Sequence, residues 1–311
     1  MRYGRYFLII LLGCFFVSSL YAIKPDRKYR FYPQKLGLIY KDLDVTTRDG
    51  LNIKTWFFPA QKELSKEALD EAWVVNERKS YKTLDEKDRP TLIICDSDAG
   101  NMSWIQLHIA QEITKLGINV VTFDWRAFGE SSAWEMDTNY MSYTEMLWDY
   151  EAVIDRVAKE YTVDNSKIIL MGWSTGSYLS MITAYNNPLV SAYIGIATPS
   201  SFEEVLPVLK KVQNKKDENL IVPQNFPSNQ MPVYIAPEFK KPIFLIVGNL
   251  DDRTPPYMSE SIYRLLPEDI KKHIWIVNNA EHGGMMSPVT IDFENFIDRV
   301  NIFIKDILKK T

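Results

Sequence analysis

Gly172-Trp173-Ser174-Thr175-Gly176 is the stretch of sequence that decides the fold of this chain. It directly follows an apolar run at 167–171 and precedes a helix-compatible run at 177–184. A serine in a sharp strand-to-helix turn needs small residues two positions before and after it, because the backbones approach closely there. Such a strained turn lifts the serine hydroxyl out of the sheet, where a base can reach it. The pattern therefore predicts Ser174 as a nucleophile.

The base is sought among three histidines, His108, His273 and His282. A serine nucleophile of this kind needs an imidazole base, and the base needs an acid that holds its tautomer and orientation. His108 lies within an amphipathic run typical of a helix, and His273 opens an apolar strand. His282 follows that strand on a predicted loop and precedes two glycines. We therefore predict His282 as the base.

Two candidates for the acid, Asp251 and Asp252, follow the predicted strand at 242–247. Both lie on the loop at the carboxyl end of that strand, the edge where open α/β sheets place their ligands. One of the two could instead cap the next helix. With Asp251, the order along the chain is Ser174, Asp251, His282. This is the Ser…Asp…His order of α/β-hydrolases and differs from that of chymotrypsin or subtilisin.

At this point the chain resembles the α/β-hydrolase superfamily, over nearly all of its length after the N-terminal segment. The family's acid loop commonly reads G-x-x-D-x-x-(T/V)-P, and residues 248–255 match it. The match favours Asp251 over Asp252. Residues 124–131 are similar to the family's D-x-R-G-x-G-x-S loop, with Ala127 in place of a glycine. We interpret that loop as structural.

The resemblance extends to residues 95–101, which lie where relatives carry a His-Gly dipeptide before the oxyanion-hole residue. Asp96-Ser97 replaces His-Gly here, while Ala99-Gly100-Asn101 is kept. The kept part is similar to the loop of a branch of small esterases and serine aminopeptidase-like proteins. The resemblance implies that the backbone N–H groups of Thr175 and Asp98 hold the oxyanion.

Alternating elements predict an α/β fold class. The predicted strands lie at 91–95, 119–123, 167–171, 192–197, 242–247 and 273–277, and the predicted helices at 103–116, 143–160, 175–186, 256–266 and 292–308. Asp49-Gly50 between two β-rich runs adds a hairpin. Short all-apolar strands between helices indicate a mostly parallel sheet covered on both faces. We predict an α/β-hydrolase fold with about eight strands and a small cap, as one domain over 23–311.

Two segments interrupt the alternation. Residues 61–89 are charged and helix-compatible, and we interpret them as an insertion. Residues 199–241 contain many prolines and no clear strand, and forty such residues are too many for a plain connection. We predict that this segment is a cap that shapes the substrate pocket. The alternative is a disordered surface excursion, against which its aromatic residues argue.

Composition narrows the function classes. The chain has 311 residues and a net charge of −4. It has no basic cluster interleaved with aromatic residues, so we predict no nucleic-acid partner. No glycine-rich phosphate or dinucleotide motif and no metal-ligand cluster appear, so we predict no cofactor and no metal. The two cysteines, Cys14 and Cys95, give no disulfide framework, and Cys95 falls in an apolar strand.

The N-terminus predicts export from the cytoplasm. Arg2 and Arg5 precede an uncharged run from residue 6 to 23, and Ala22 provides a small residue for cleavage. Residues 1–22 therefore fit a secretory signal peptide cleaved after Ala22. Two alternatives remain open: a lipobox at 11–14, which would make Cys14 a lipid-anchored N-terminus, and an uncleaved membrane anchor. All three place the catalytic domain outside the cytoplasm.

These observations together predict a serine hydrolase that acts by acyl transfer. Ser174 attacks, His282 takes its proton and Asp251 orients His282. The expected substrate is a small-molecule ester. The first alternative is a short peptide or amide, because the resembling branch includes serine peptidases. The second is a protein of this fold that binds without cleaving.

Overall fold

The computed structural model describes residues 22–65, 81–84, 89–161, 167–214 and 219–309. Its strands are β1 Lys24–Pro25, β2 Lys41–Leu43, β3 Thr55–Phe58, β4 Gln61–Glu63, β5 Tyr81–Thr83, β6 Thr91–Cys95, β7 Ala99–Gly100, β8 Asn119–Phe123, β9 Ile168–Trp173, β10 Val190–Ile196, β11 Ile243–Gly248 and β12 Lys272–Val277. Its helices are α1 Ile105–Lys115, α2 Glu145–Tyr161, α3 Thr175–Asn186, α4 Phe202–Gln213, α5 Pro232–Ile235, α6 Pro256–Leu265 and α7 Phe293–Leu308.

Within the described ranges, the main sheet has eight strands in the order β12-β11-β10-β9-β6-β8-β3-β2. The strands from β12 to β8 are parallel, and β3 and β2 add an antiparallel edge. The predicted α/β-hydrolase fold with a mostly parallel sheet of about eight strands is confirmed. The Asp49-Gly50 turn joins β2 and β3 as predicted, since Thr46 and Asn52 bridge across it.

The core lies on both faces of the sheet. All residues of β6, β8 and β11 are buried, the pattern of strands that are covered on two sides. One face packs against α1 and α7, and the other against α2, α3 and α6. Alternate residues of β6 point to the two layers: Ile93 and Cys95 to one, Leu92 and Ile94 to the other. Cys95 is thus a buried apolar residue, as expected.

The 61–89 segment contains two strands, β4 and β5, although its sequence is compatible with a helix. Strands β4 and β5 pair antiparallel and form a separate two-stranded sheet. Tyr81 and Gln61 are buried, so burial and long-range pairing prevail over local helix propensity here. Residues 66–80 and 85–88 of this predicted insertion lie outside the described residues.

The 199–241 segment is helical and packed where it is described. Helix α4 begins after Ser201, whose side chain accepts a hydrogen bond from the Glu204 N–H. Phe202 and Phe226 are buried, and their rings contact each other edge to face. Short helical turns at 228–230 and 236–238 flank α5. The lysines at 215 and 216 lie outside the described residues.

Of the predicted signal segment, residues 1–21 lie outside the described residues, and only Ala22 is described. None of the helices in the described ranges has the length and the apolar character that crossing a bilayer requires.

Candidate active site

Ser174 occupies the strained turn between β9 and α3. Its φ of 52° lies in the left-handed region, which a non-glycine residue rarely adopts. A Cβ atom on Gly172 would overlap the carbonyl oxygen of Gly176, and one on Gly176 would overlap the carbonyl oxygen of Asp96. The two glycines are therefore required because three backbone segments meet at this turn. The packing leaves the Ser174 side chain at the sheet edge, 9% exposed.

The structure brings Ser174, His282 and Asp251 together. The Ser174 Oγ lies 3.1 Å from the Nε2 of His282, although the two residues are 108 positions apart. The Nδ1 of His282 lies 3.0 and 2.9 Å from the two carboxylate oxygens of Asp251. An imidazole that donates Nδ1–H to Asp251 leaves Nε2 free to accept the proton of the serine hydroxyl.

Asp251 and Asp252 are in different environments. Asp251 is buried, and its Oδ1 accepts hydrogen bonds from the backbone N–H groups of Arg253 and Thr254. Burial raises the pKa of Asp251, but attraction to His282 and hydrogen bonds from His282 and Thr254 outweigh it and hold the pKa below its usual value. Asp252 is exposed. Only Asp251 is thus placed to orient the imidazole.

Two contacts of His282 were not found by sequence reasoning. The Thr254 hydroxyl donates to Asp251 Oδ2 at 2.9 Å and lies 3.2 Å from His282 Nδ1. The indole N–H of Trp173 donates to the carbonyl oxygen of His282 at 3.2 Å. Thr254 belongs to the acid-loop pattern and Trp173 to the pentapeptide, so the sequence motifs contain both residues. The motifs do not indicate that either residue contacts the distant His282.

The two predicted oxyanion residues line the same cleft as Ser174. Thr175 is the first residue of α3, and amides in the first turn of a helix have no partner within that helix. Asp98 lies on the loop after β6 and lines the same cleft as Ser174 and Thr175. Its carbonyl oxygen accepts a hydrogen bond from the Lys24 N–H at 2.7 Å. The backbone at Asp98 is therefore held from the N-terminal side of the chain.

A cleft of about 410 Å³, including its open mouth, lies over Ser174 and His282. Its apolar walls include Ala22, Met141, Tyr178, Val205, Leu209 and Leu220. Val205 and Leu209 belong to α4 of the predicted cap, which therefore contributes one wall. Asp98 and Arg253 are the only two charged residues that line the cleft within the described part of the chain.

The remaining histidines lie elsewhere. His108 belongs to α1, as predicted, where burial lowers its pKa. His273 is exposed on β12 and contacts the rings of Phe244 and Phe303. The described residues contain no group of three or more histidine, cysteine or acidic side chains that could hold a metal ion.

The loop at 124–131 is a structural element. Arg126 is fully buried and pairs with Asp149, at 2.8 Å, and with Asp49, at 2.7 Å. Ala127, which stands where the superfamily pattern has glycine, has a φ of 68°. Glycine adopts this conformation without strain, which explains the residue type in the pattern.

Comparison with protein families assigns the chain. Residues 103–311, more than half of its length, match the model of the prolyl oligopeptidase family. The chain belongs to this family. It is also similar to the alpha/beta hydrolase domain-containing protein WAV2 of Arabidopsis thaliana, with 25% identity over 245 residues, which cover 76% of this chain and 70% of WAV2.

Solved structures share the fold at low sequence identity. The esterase Pf2001 of Pyrococcus furiosus superposes with a TM-score of 0.66 at 18% identity, covering 91% of this chain and 97% of the esterase. A puromycin-hydrolyzing peptidase of Mycobacterium tuberculosis gives a TM-score of 0.66 at 13% identity, covering 88% of this chain and 40% of the peptidase. The chain is a hydrolase with the α/β-hydrolase fold, and the neighbours include both esterases and peptidases.

Proposed function

We propose that this hydrolase is a serine esterase that works through an acyl-enzyme. The observation that carries the proposal is the continuous hydrogen-bonded series from Ser174 through His282 to Asp251. The series begins in a strained turn at the floor of a cleft. Nucleophile, base and orienting acid in this arrangement are the groups that serine acyl transfer requires.

The reaction begins when Ser174 Oγ attacks the carbonyl carbon of the bound ester. His282 Nε2 takes the hydroxyl proton, and Asp251 stabilises the imidazolium that forms. The imidazolium then protonates the leaving alkoxide, which departs as the alcohol. Water, activated by the same imidazole, attacks the acyl-enzyme and releases the acid. No cofactor enters this sequence.

The oxyanion is held by backbone amides in this proposal. The Thr175 N–H stands at the first position of α3, where the helix dipole also favours negative charge. The second donor is the Asp98 N–H, with the Asp98 carboxylate turned away from the developing charge. A carboxylate that pointed inward would repel the charge that the donors exist to stabilise.

The cleft favours an ester with an apolar acyl group. The walls carry methyl, thioether and aliphatic side chains, which gain free energy when they cover an apolar chain. The second candidate is a peptidase or amidase activity, which family membership favours. Arg253 and Asp98 at the same cleft could meet the termini of a short peptide.

A covalent probe tests the nucleophile. The purified full-length chain is treated with a fluorophosphonate, and peptide mapping locates the adduct, which we expect on Ser174. Ser174→Ala should fold, fail to react and lose at least about 10⁴-fold in kcat, as is typical for removal of such a nucleophile. Near-wild-type turnover by folded Ser174→Ala would contradict the assignment. A wild-type chain that binds esters but neither reacts nor turns over would be a binding protein.

A paired substrate panel separates the two activities. p-Nitrophenyl butyrate, which releases p-nitrophenolate, reports ester cleavage, and an aminoacyl p-nitroanilide, which releases p-nitroaniline, reports amide cleavage. We expect kcat/KM for the ester to exceed that for the amide by at least about 10²-fold, because p-nitrophenolate departs more readily than p-nitroaniline. If the amide is cleaved as well as the ester, the peptidase assignment is correct instead.

We also propose that the enzyme acts outside the cytoplasm. The support is the sequence at residues 1–22, in which two arginines precede an uncharged run. Fusion of the full-length chain to a reporter that matures only after export would test this proposal. A fusion protein that is made in full but whose reporter stays inactive would reject it.

A further inference from the structure

We propose that residues 22–30, here called the strap, are a working part of the active site. In this proposal Ala22 is a specificity-determining wall of the cleft, and the strap positions the loop that provides the Asp98 amide. The inference rests on the proposed esterase function. It has a direct consequence: the peptide bond between Ala22 and Ile23 stays intact in the active enzyme.

Ala22 is fixed at the cleft. Ala22 and Ile23 are 3% and 0% exposed, and both backbone N–H groups donate to the carbonyl oxygen of Thr138, at 2.8 and 3.1 Å. Ala22 lines the cleft together with Ser174 and Met141. Its methyl group is a small side chain at this wall, so a larger residue would shorten the space available to the acyl chain.

The first half of the strap holds the oxyanion loop by its backbone. Strand β1 pairs parallel with β7, and the Lys24 N–H donates to the Asp98 carbonyl oxygen at 2.7 Å. The Asn101 side-chain amide donates to the carbonyl oxygens of Asp26 and Lys28, at 2.9 and 3.0 Å. The loop is therefore bonded to the strap on both sides of β7.

The second half of the strap holds the other end of this loop. The Arg30 N–H donates to Ser103 Oγ at 2.8 Å. The Tyr29 hydroxyl donates to Asp124, and the other carboxylate oxygen of Asp124 accepts from the Met102 N–H at 2.8 Å. Because an oxyanion donor acts only when it is preorganised, contacts that fix this loop bear on the rate of the chemical step.

Cleavage after Ala22 is incompatible with this arrangement. It would remove the alanine wall and leave Ile23 as the new N-terminus. The α-ammonium group would then lie at a residue with no exposed surface, and burial of an ion beside a neutral acceptor, the Thr138 carbonyl oxygen, is strongly disfavoured. We infer that any removal of the leader takes place before Ala22, so that the active enzyme retains the whole strap.

Peptide mapping of the active enzyme made from the full-length gene in an exporting host tests this consequence. We expect a peptide that spans the Ala22–Ile23 bond, whether or not residues before Ala22 have been removed. A homogeneous, active enzyme that begins at Ile23 would overturn the proposal.

A chain-length panel tests the wall. In Ala22→Leu, the ratio of kcat/KM for p-nitrophenyl hexanoate to that for the acetate should fall at least about 10-fold, because the added isobutyl group occupies the cleft. Ala133→Leu, an equal enlargement at an exposed alanine, is the control and should leave the ratio at its wild-type value. An unchanged ratio in folded Ala22→Leu would refute the role of the wall.

A matched pair at Lys24 tests positioning. Lys24→Pro removes the N–H that holds Asp98, whereas Lys24→Ala keeps it. We expect kcat of Lys24→Pro to fall at least about 10-fold below that of Lys24→Ala, with KM changed less than 3-fold, because the loss falls on the transition state. If Lys24→Pro does not fold, Asn101→Asp takes its place, because it removes the amide group that donates to Asp26 and Lys28. Its kcat and KM are then compared with those of the wild type. An unchanged kcat in the folded variant overturns the positioning role.

Different results would refute the proposed esterase function and the proposed role of the strap. A wild-type enzyme that hydrolyses none of the esters would refute the proposed function. A wild-type enzyme that hydrolyses them, combined with variants that show the wild-type chain-length ratio and kcat, would refute only the strap.

Discussion

Replacing Asp251 by asparagine should change the tautomer of neutral His282, so that its proton lies on Nε2 instead of Nδ1. The carboxylate accepts hydrogen bonds from four donors: the N–H groups of Arg253 and Thr254 on Oδ1, the Thr254 hydroxyl on Oδ2, and His282 Nδ1, which lies 3.0 Å from Oδ1 and 2.9 Å from Oδ2. An amide has one oxygen, and the two backbone N–H groups require that oxygen at the Oδ1 position. The amide NH₂ group then faces the His282 Nδ1.

The consequence for catalysis follows from the tautomer. An NH₂ group that donates to Nδ1 requires Nδ1 without a proton, and the neutral imidazole then carries its proton on Nε2. Nε2 is the atom that lies 3.1 Å from Ser174 Oγ and must accept the serine proton. In trypsin the same exchange lowers kcat about 10⁴-fold, which corresponds to about 5 kcal/mol of transition-state free energy. We expect a loss of similar size here.

The assay is kcat for p-nitrophenyl butyrate at pH 8, with thermal unfolding as a check on the fold. Asp252→Asn is the matched control, since it removes the same charge from an exposed side chain one residue away. It should stay within about 3-fold of wild type. If folded Asp251→Asn keeps a tenth or more of the wild-type kcat, the tautomer argument is wrong. If Asp252→Asn is the more damaging change, the acid is Asp252.

Three further perturbations have definite expected outcomes. Asp98→Pro should lower kcat on the order of 10²-fold because proline has no N–H, whereas Asp98→Asn should keep most activity; equal kcat values would move the donor elsewhere. Gly176→Ala should lose 3 kcal/mol or more in urea unfolding, roughly the upper end for overpacking, because its Cβ overlaps the Asp96 carbonyl. Gly283→Ala, which meets nothing within 4 Å, is its control and should be neutral. Burial raises the pKa of Asp124 to about 7, so stability should fall as pH rises from about 4 to 7, the window in which only the unfolded state has lost the proton. Asp124→Asn should reduce that slope in urea unfolding at pH 5, 6 and 7, while Asp96 and Asp149, whose pKa values burial also raises, contribute the remainder; an unchanged slope would assign it wholly to other groups.

Local sequence determined the elements and the turn at Ser174. The predicted bounds of α3 and β8 agree with the structure, because short apolar strands and a helical stripe are encoded within each segment. Gly172 marks the strained turn for a local steric reason, because its Cβ would overlap the Gly176 carbonyl oxygen, whereas the need for Gly176 comes from the approach of the distant Asp96 carbonyl. The order of Ser174, Asp251 and His282, together with the superfamily acid-loop pattern, named the three residues that the structure brings together.

Only the tertiary structure decided which distant groups meet. Strands β4 and β5 of the 61–89 segment pair with each other although their sequence is compatible with a helix. Burial of Tyr81 and backbone pairing prevail there over local helix propensity. Thr254 contacts His282 across 28 positions. Ala22, which the sequence predicts as the last residue of a signal peptide, is buried at the cleft beside Ser174. Periodicity and turn chemistry act over a few residues, whereas these contacts depend on how the whole sheet assembles.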